Sequence, residues 1–416
     1  MPSVELGCNT QLIDVTISNC IRSGINKLNV LTQFNSHMLN THLTNAYPPA
    51  VLGGPARTGF VDVLACHQTP QFSSWYRGSA DAVRRNLPVV LEPYRGTAVP
   101  DDLLILSGQA LYRMDYGQLI RTHRETGADI TICTNSVDWD MASKRGLARI
   151  NPESGVVESF VEKPTGDRLE VLAHASKHAT PEFPFEASMG IYVFKRKALV
   201  ALLAGQEDHY GENSGPDTHF GHDVIPHALR DGYRVVAHHF NGYFRDVLTL
   251  RDLYEVNLSL ARPGSPISFY DVEKGIVSSA PVRPPAIIHN CDIEHTLVGE
   301  GSVLHGSTIR GCVVGNNIYV GEGCNIEDSL LLSNDFYTND SSRAVSRAKG
   351  EAVMGVGGGS VIKKAVIDNN VAIGSRVRIT NADGVQEADR SAEGFVISEG
   401  IVVVLRGTSI PDGTVI

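Results

Sequence analysis

The spacing of apolar residues changes character once along the chain. Over the first ~260 residues, short apolar runs alternate with stretches of helical spacing. Leu28–Leu31, Leu103–Leu106, Ile130–Cys133, Gly190–Phe194 and Arg234–Ala237 are β-branched or aliphatic and predict strands. Leu12–Ser23, Ser36–Leu43, Ala80–Leu91, Tyr116–Thr126 and Lys197–Leu203 predict helices between them. Strand and helix in alternation predict an α/β domain with a mostly parallel sheet covered on both faces. Ligands of such sheets sit beyond the carboxyl ends of the strands. The run Leu103–Ser107 leading into Gly108-Gln109-Ala110-Leu111-Tyr112 is therefore a candidate active-site edge.

Beyond Arg262 the chain turns Pro-rich (Pro263, Pro266, Pro281, Pro284, Pro285), as in an extended connector. Then a short period takes over. Aliphatic residues recur at roughly six-residue steps, with Gly and Asn between them, from Val298 to Leu330 and again from Val361 to Gly374. A hexapeptide period predicts a parallel β-helix: aliphatics stack inside, and Gly or Asn accepts the corner angles. An antiparallel sandwich with Gly turns is the alternative. The segment 334–350, with Asp335, Asp340, Arg343, Arg347 and Lys349, breaks the period and is expected to be a solvated loop. The expected organisation is an α/β domain over 1–262, a linker over 263–285 and a β-helix over 286–416.

Composition narrows the classes. Lys+Arg is 36 against Asp+Glu 46, a formal net charge of −10. That balance argues against broad binding of nucleic acid or anionic membrane, which needs a basic face. No run approaches the ~18 apolar residues of a membrane-spanning helix. Seven cysteines are scattered, with no CxxC pair and no zinc-like spacing, so a reducing compartment with mostly buried thiols is expected. Cys8, near the terminus, is a candidate for cross-linking to a partner chain. The first residues have neither the charge nor the apolar stretch of a targeting peptide.

Several segments then point to one family: Leu12-Ile13-Asp14 with Ser18-Asn19-Cys20, Val30–Ser36, Gly78–Arg84, Leu111–Tyr116, Phe160-Val161-Glu162-Lys163-Pro164, Ala187–Tyr192, Asp223–Pro226 and Gly413–Ile416. In collinear order from end to end, the chain resembles glucose-1-phosphate adenylyltransferase (ADP-glucose pyrophosphorylase) of plants and green algae. The stretch Val385–Arg390 with Glu393-Gly394-Phe395 is more similar to the large, regulatory subunit. The resemblance implies a Rossmann-like α/β nucleotidyltransferase domain followed by a left-handed β-helix. It also implies a reaction of ATP with glucose 1-phosphate to give ADP-glucose and pyrophosphate.

Such a reaction must position two anions, neutralise their charge and hold Mg²⁺ on the transferring phosphate. By resemblance, Gly78-Ser79-Ala80-Asp81 is the nucleotide-binding loop, where small residues let backbone lie against the base. Read by itself, the same loop is a helix N-terminus capped by Ser79. Glu162 and Lys163 match the sugar-phosphate element: a carboxylate for sugar hydroxyls and an ammonium for phosphate. Ser188 matches a residue facing the sugar. Asp246, in Tyr243-Phe244-Arg245-Asp246-Val247, matches a Mg²⁺-binding carboxylate, although the cation of Arg245 could neutralise it instead. Lys363 matches a lysine that binds phosphorylated effectors.

Other positions depart from the family. Gln109 stands where the family has the Asp that holds the catalytic Mg²⁺, so no catalytic residue is intact there. Gln11 replaces an Arg. Ser398, beside Glu399, replaces a Lys or Arg of the effector site. Residues 1–7 align just after the family's glycine-rich pyrophosphate loop, so that loop and the strand before it are expected to be absent and two neighbouring strands left unpaired. The expectation is a regulatory subunit with little turnover of its own, paired with a catalytic small subunit in a heterotetramer of starch synthesis. The plastid stroma is the expected location by resemblance, the cytoplasm the alternative. A competent subunit lacking an N-terminal exon, and a non-catalytic scaffold, remain open; a GDP-mannose-type specificity is the weaker alternative.

Overall fold

The computed structural model describes the chain apart from residues 1, 49–58, 67–73, 94–97, 175, 205–217, 268–270, 272–274, 279–282 and 349–352. Part of the Pro-rich connector, including Pro281, and Lys349 of the expected loop therefore lie outside the described residues. The chain packs as two compact units. One comprises Thr16–Gly108 and Tyr112–Phe244; the other gathers Met1–Val15, Gln109–Leu111 and Arg245–Ile416. Among the described residues no helix is long and apolar enough to cross a membrane.

In the α/β unit the predicted elements form close to where periodicity puts them. The strands relevant here are β1 (Lys27–Thr32), β2 (Phe60–Ala65), β3 (Asp102–Ile105), β4 (Ile130–Val137), β5 (Gly146–Ile150), β6 (Val157–Glu162), β7 (Phe185–Lys195) and β8 (Val235–His239). Helices α1 (Ser79–Val90), α2 (Tyr116–Glu125) and α3 (Arg196–Ala204) pack on them. Helix α2 shows why its ends fall where they do. The Asp115 side chain accepts the Gly117 N–H at its start, and Arg124 sits in the last turn, where the helix dipole favours cations.

The expectation of a mostly parallel sheet is corrected. Parallel pairs are β1 with β2 and β4 with β8. Strand β7 runs antiparallel to β3, β4 and β5, and β5 is antiparallel to β6. The reason is connectivity: β5 and β6 are joined by a hairpin around Asn151, whose side-chain oxygen accepts the N–H groups of Glu153 and Ser154. A hairpin needs no crossover helix. Among the described residues β1 pairs only with β2, and β3 only with β7.

Strand β7 decides where this sheet opens. Its first half lies between β4 and β5, with Ala187 opposite both Asn135 and Leu147. Its second half lies between β4 and β3, with Tyr192 opposite Ile132 and Ile105. The register shifts between Ser188 and Tyr192, and Gly190 takes φ 69° there, a left-handed angle that costs glycine little. Even-numbered residues of these strands (Ile130, Ile132, Ala148, Phe160, Tyr192, Phe194) build one core with Leu199, Phe220 and Val224. Odd-numbered Val137, Leu147, Phe185 and Ala187 build another with Ala142 and Leu172. The period-2 alternation thus feeds two cores from one sheet.

The second unit is a parallel β-helix. Each coil contributes three short strands, as in Val303–His305, Thr308–Arg310 and Val313–Val314. Three aliphatic ladders run through it: Leu304, Val320, Val356, Ile373 and Ile410; Ile309, Ile326, Ile362 and Ile379; Val314, Leu331, Ile367 and Val404. All are buried in one core. The sandwich alternative fails because these ladders are parallel; among the described residues antiparallel pairing enters the β-helix only at Ala388–Arg390, Phe395–Ser398 and Ile401–Val404. Corners turn through left-handed residues such as Asn317, Asp328, Lys364 and Asn370. The expected solvated loop is corrected in part: Asp340–Ala348 is helical, and Arg343 is buried with its guanidinium 4.3 Å from the Tyr319 ring centroid. The side chains of Asp340 and Arg347 lie outside the described residues.

Residues before Val15 pack with the β-helix unit through polar contacts. The Glu5 carboxylate accepts the Ser333 N–H at 2.8 Å, Asn257 Oδ1 accepts the Gly7 N–H at 2.7 Å, and the Cys8 thiol donates to Val314 O at 3.3 Å. A capping box of Thr249 and Asp252 starts the helix Leu250–Leu260 that carries Asn257. Burial pushes the Cys8 thiol up to about 12, so the candidate cross-linking thiol is a poor nucleophile in this fold.

Candidate functional site

In the α/β unit, three segments far apart in sequence meet. The loop Arg77–Asp81 opens α1. Gly78 has φ 96°, and a Cβ there would lie 2.7 Å from the Thr218 carbonyl carbon, so only glycine fits without movement. Ala80 N–H donates to Thr218 O at 3.0 Å, and Thr218 N–H donates to Arg77 O at 2.7 Å. Ser79 does not cap the helix; Gly78 is the cap residue, and Ser79 Oγ accepts the Phe220 N–H at 3.3 Å. Asp81 is buried and turned inward. Burial pushes its carboxyl up, but the Arg77 N–H and the guanidinium groups of Arg84 and Arg85 outweigh that and hold it below its ordinary range. Of the expected nucleotide-binding residues, Asp81 fixes the loop, while Ser79 is exposed.

The segment joined to this loop, Thr218–Val224, runs on to Glu162. It contains a π-helical turn, Phe220–Val224, a form often found at functional sites. Its Gly221 lies so close to Glu162 that a Cβ would overlap Oε2 and sit 3.2 Å from the carboxyl carbon. On the other side, Gly146 is opposite Glu162 in the β5–β6 pair, and a Cβ there would lie 2.5 Å from the same oxygen. The carboxylate is thus held between two glycine backbones. Burial raises its pKa, and Lys163, His222 and His219 pull it part of the way back. Lys163 ends β6 in a left-handed turn, φ 45°, with its N–H on Arg145 O at 3.0 Å and its side chain exposed.

Ser188 sits at the fork of β7. Its Oγ donates to Tyr192 Oη at 3.2 Å and accepts the Gly190 N–H at 3.2 Å. Tyr192 in turn feels the Glu162 charge. Gly78-Ser79, Glu162 and Ser188 therefore belong to one neighbourhood, linked by Thr218–Val224 and Tyr192. Sequence reasoning missed the linking turn, its His219 and His222, and the buried pair below Ser188. There Glu186 is fully buried, its carboxylate 3.0 Å from His239 Nδ1, and the His239 ring stacks on His178 with centroids 3.9 Å apart. Two histidines and a glycine in a row of ordinary helical spacing gave no signal for the turn.

The remaining expected site residues fall in the β-helix unit. Gln109 O accepts the Val247 N–H at 2.8 Å, which brings the backbone of Gln109 next to that of Asp246 and Val247. Arg245 reaches Glu255 at 2.5 Å and Asp252 at 3.4 Å. One carboxylate and one neutral amide make no cage for Mg²⁺ by themselves; such an ion takes most of its ligands from substrate phosphates and water. Among the described residues no group of three or more His, Cys, Asp or Glu side chains could hold a metal. The residues present do not fit an ion held by the protein itself. Lys363 Nζ lies 2.8 Å from Glu327 Oε2, in a ladder of Glu294, Arg310, Glu327 and Lys363 across paired strands. Its charge serves that ladder.

Residues 2–262 match the family model described as nucleotidyl transferase, and residues 282–415 match the GLGC left-handed parallel beta-helix domain. The chain belongs to the nucleotidyl transferase family. Its β-helix is accordingly the left-handed kind, and the two matches together fit a sugar-phosphate nucleotidyltransferase of the ADP-glucose pyrophosphorylase kind. Nucleotidyl transferases act on nucleotide and sugar-phosphate substrates and generally use a divalent metal such as Mg²⁺.

Proposed function

We propose that this nucleotidyl transferase is a large, regulatory-type subunit of an ADP-glucose pyrophosphorylase, with little turnover of its own. The reaction of the assembly joins ATP and glucose 1-phosphate, releases pyrophosphate, and opens starch synthesis in the plastid stroma. Glu162, clamped between Gly146 and Gly221, accepts hydroxyls of the glucose ring. Lys163 neutralises the sugar phosphate, and Ser188 contacts the sugar where the sheet forks. Gly78, Ser79 and Ala80 present small residues and backbone to the adenine, while Asp81 holds the loop in shape. A nucleophilic phosphate oxygen positioned in this way attacks the α-phosphorus in line.

The observation that carries the regulatory reading is Gln109 beside Asp246. An amide brings no formal charge, so the carboxylate of Asp246 is the one anionic donor of that pair, and no step is assigned through Mg²⁺ on this chain. Pairing with a catalytic small subunit in a heterotetramer supplies the missing chemistry. Control by phosphorylated effectors belongs to the same reading, with Lys363 the residue suited to an anion once Glu327 releases it. The test is pyrophosphate release by the chain alone and with a small subunit, for wild type and Gln109→Asp. Low turnover alone, raised by Gln109→Asp or by the partner, supports the proposal; full turnover by the wild-type chain alone refutes it.

A further inference from the structure

The turn Thr218–Val224 carries a histidine beside the sugar carboxylate that has no role in the reading above. His222 Nδ1 lies 2.7 Å from Asp223 Oδ1, and Asp223 Oδ2 accepts the His219 N–H at 2.7 Å. Both oxygens of Asp223 are thereby engaged, and the imidazole is fixed with Nδ1–H on the carboxylate. Its Nε2–H edge is left to point away from Asp223, and the side chain is 71% exposed. The residue before it, Gly221, is the one whose backbone abuts the Glu162 carboxylate.

We propose that His222 is a phosphate-binding residue of this site, an imidazolium that joins Lys163 in holding the phosphate monoester of the sugar. The proposal rests on the reading that Glu162 and Lys163 bind glucose 1-phosphate. The arrangement is that of an aspartate-oriented histidine whose Nε2 has no partner among the described residues, placed on the element that also touches the nucleotide loop through Ser79 and Phe220. A charged imidazole there adds a hydrogen-bond donor that reaches an anion the ammonium of Lys163 meets as a point charge.

The charged groups that act on His222 are Asp223 of its own turn and Glu162 of β6; Glu162 in turn feels Lys163, His222 and His219. The Asp223 hydrogen bond and charge raise the His222 pKa above its ordinary value, burial opposes slightly, and Glu162 adds to the rise. The cation is therefore present below that raised pKa and lost above it. Affinity for a phosphate monoester gains from His222 on the acid side and not on the alkaline side.

The test is calorimetric titration of the full chain with glucose 1-phosphate at pH 6 and pH 9, for wild type and His222→Gln. Comparing the two proteins at each pH cancels the ligand's own ionisation. At pH 6 the variant should bind roughly three- to fivefold more weakly, the size of a partly exposed charge contact. At pH 9 the two should bind alike, with unchanged melting temperatures. A ratio that does not vary between the two pH values overturns the proposal while leaving the substrate reading intact. Absence of saturable binding by the wild-type chain at both pH values overturns the substrate reading and this proposal with it. Asp223→Asn supplies a second check: it should move the loss of the His222 advantage to lower pH, and an unmoved transition counts against the orientation argued here.

Discussion

Gly221→Ala isolates the clamp on Glu162. The new methyl overlaps Oε2, and the carboxyl carbon is 3.2 Å away, so the end of the Glu162 side chain must swing aside to reach ordinary van der Waals contact. The backbone of Gly146, paired with Glu162 across the strands, approaches the same oxygen, so any displacement of the carboxylate also changes its contacts with that strand. The backbone itself is not strained by the change, because the turn is helical and alanine favours helix over glycine by about 1 kcal/mol. Stability should therefore change by less than ~1 kcal/mol. Binding should suffer far more. Losing one or two charge-assisted hydrogen bonds from the carboxylate to sugar hydroxyls costs about 1.5–3 kcal/mol, which is roughly 10- to 150-fold in Kd. Calorimetric titration with glucose 1-phosphate, alongside a thermal melt, separates the two effects. An unchanged Kd with the methyl in place would show that the Glu162 carboxylate does not touch the sugar.

Other outcomes follow from burial. Ile326 is fully buried in the middle of its ladder, so Ile326→Ala should cost about 2–5 kcal/mol in urea unfolding of the β-helix. Ile288, in the first coil and 48% exposed, should cost within ~0.5 kcal/mol on the same change; equal costs would contradict the packing described. Burial raises the Glu5 pKa despite the Ser333 and Asn369 hydrogen bonds, so the folded state binds the Glu5 proton more tightly than the unfolded state. Stability from this group is then present at low pH and falls as pH rises from about 4.3 through the raised folded value. Glu5→Gln should remove that slope from the melting temperature, and an unaltered slope would assign it to other groups. With its thiol pushed up to about 12, Cys8 should resist thiol reagents at pH 8 until the chain is unfolded, and fast native modification would show that the segment opens.

Much of the fold was legible without coordinates, for two different reasons. The α/β elements announced themselves by period: Tyr116–Thr126 was expected and Tyr116–Glu125 is found, Leu103–Leu106 was expected and Asp102–Ile105 is found. Strand direction was not legible, because alternation of helix and strand carries no record of the hairpin at Asn151 or of the long strand Phe185–Lys195 that changes neighbours halfway. Phe60–Ala65 carried no such signal: among the described residues it pairs with Lys27–Thr32, far away in sequence, and does so through the backbone. The insertion before Gly355 was read as a loop because its charges hide a helix whose Arg343 packs on Tyr319.

The β-helix was within reach of the sequence alone because its physics repeats. Leu304, Val320 and Val356 each occupy the same interior position one coil apart, so a residue's neighbours are copies of its own pattern. The candidate site was different. Motif likeness named Glu162, Lys163, Ser188 and Gly78, but no local pattern could say that Gly146 and Gly221 would close on one carboxylate, or that Asp223 would aim His222 beside it. The approach of Gly221 and His222 to Glu162 joins residues far apart in the chain, and close packing, which leaves no space for even one methyl group, is a property of the folded arrangement rather than of any segment within it.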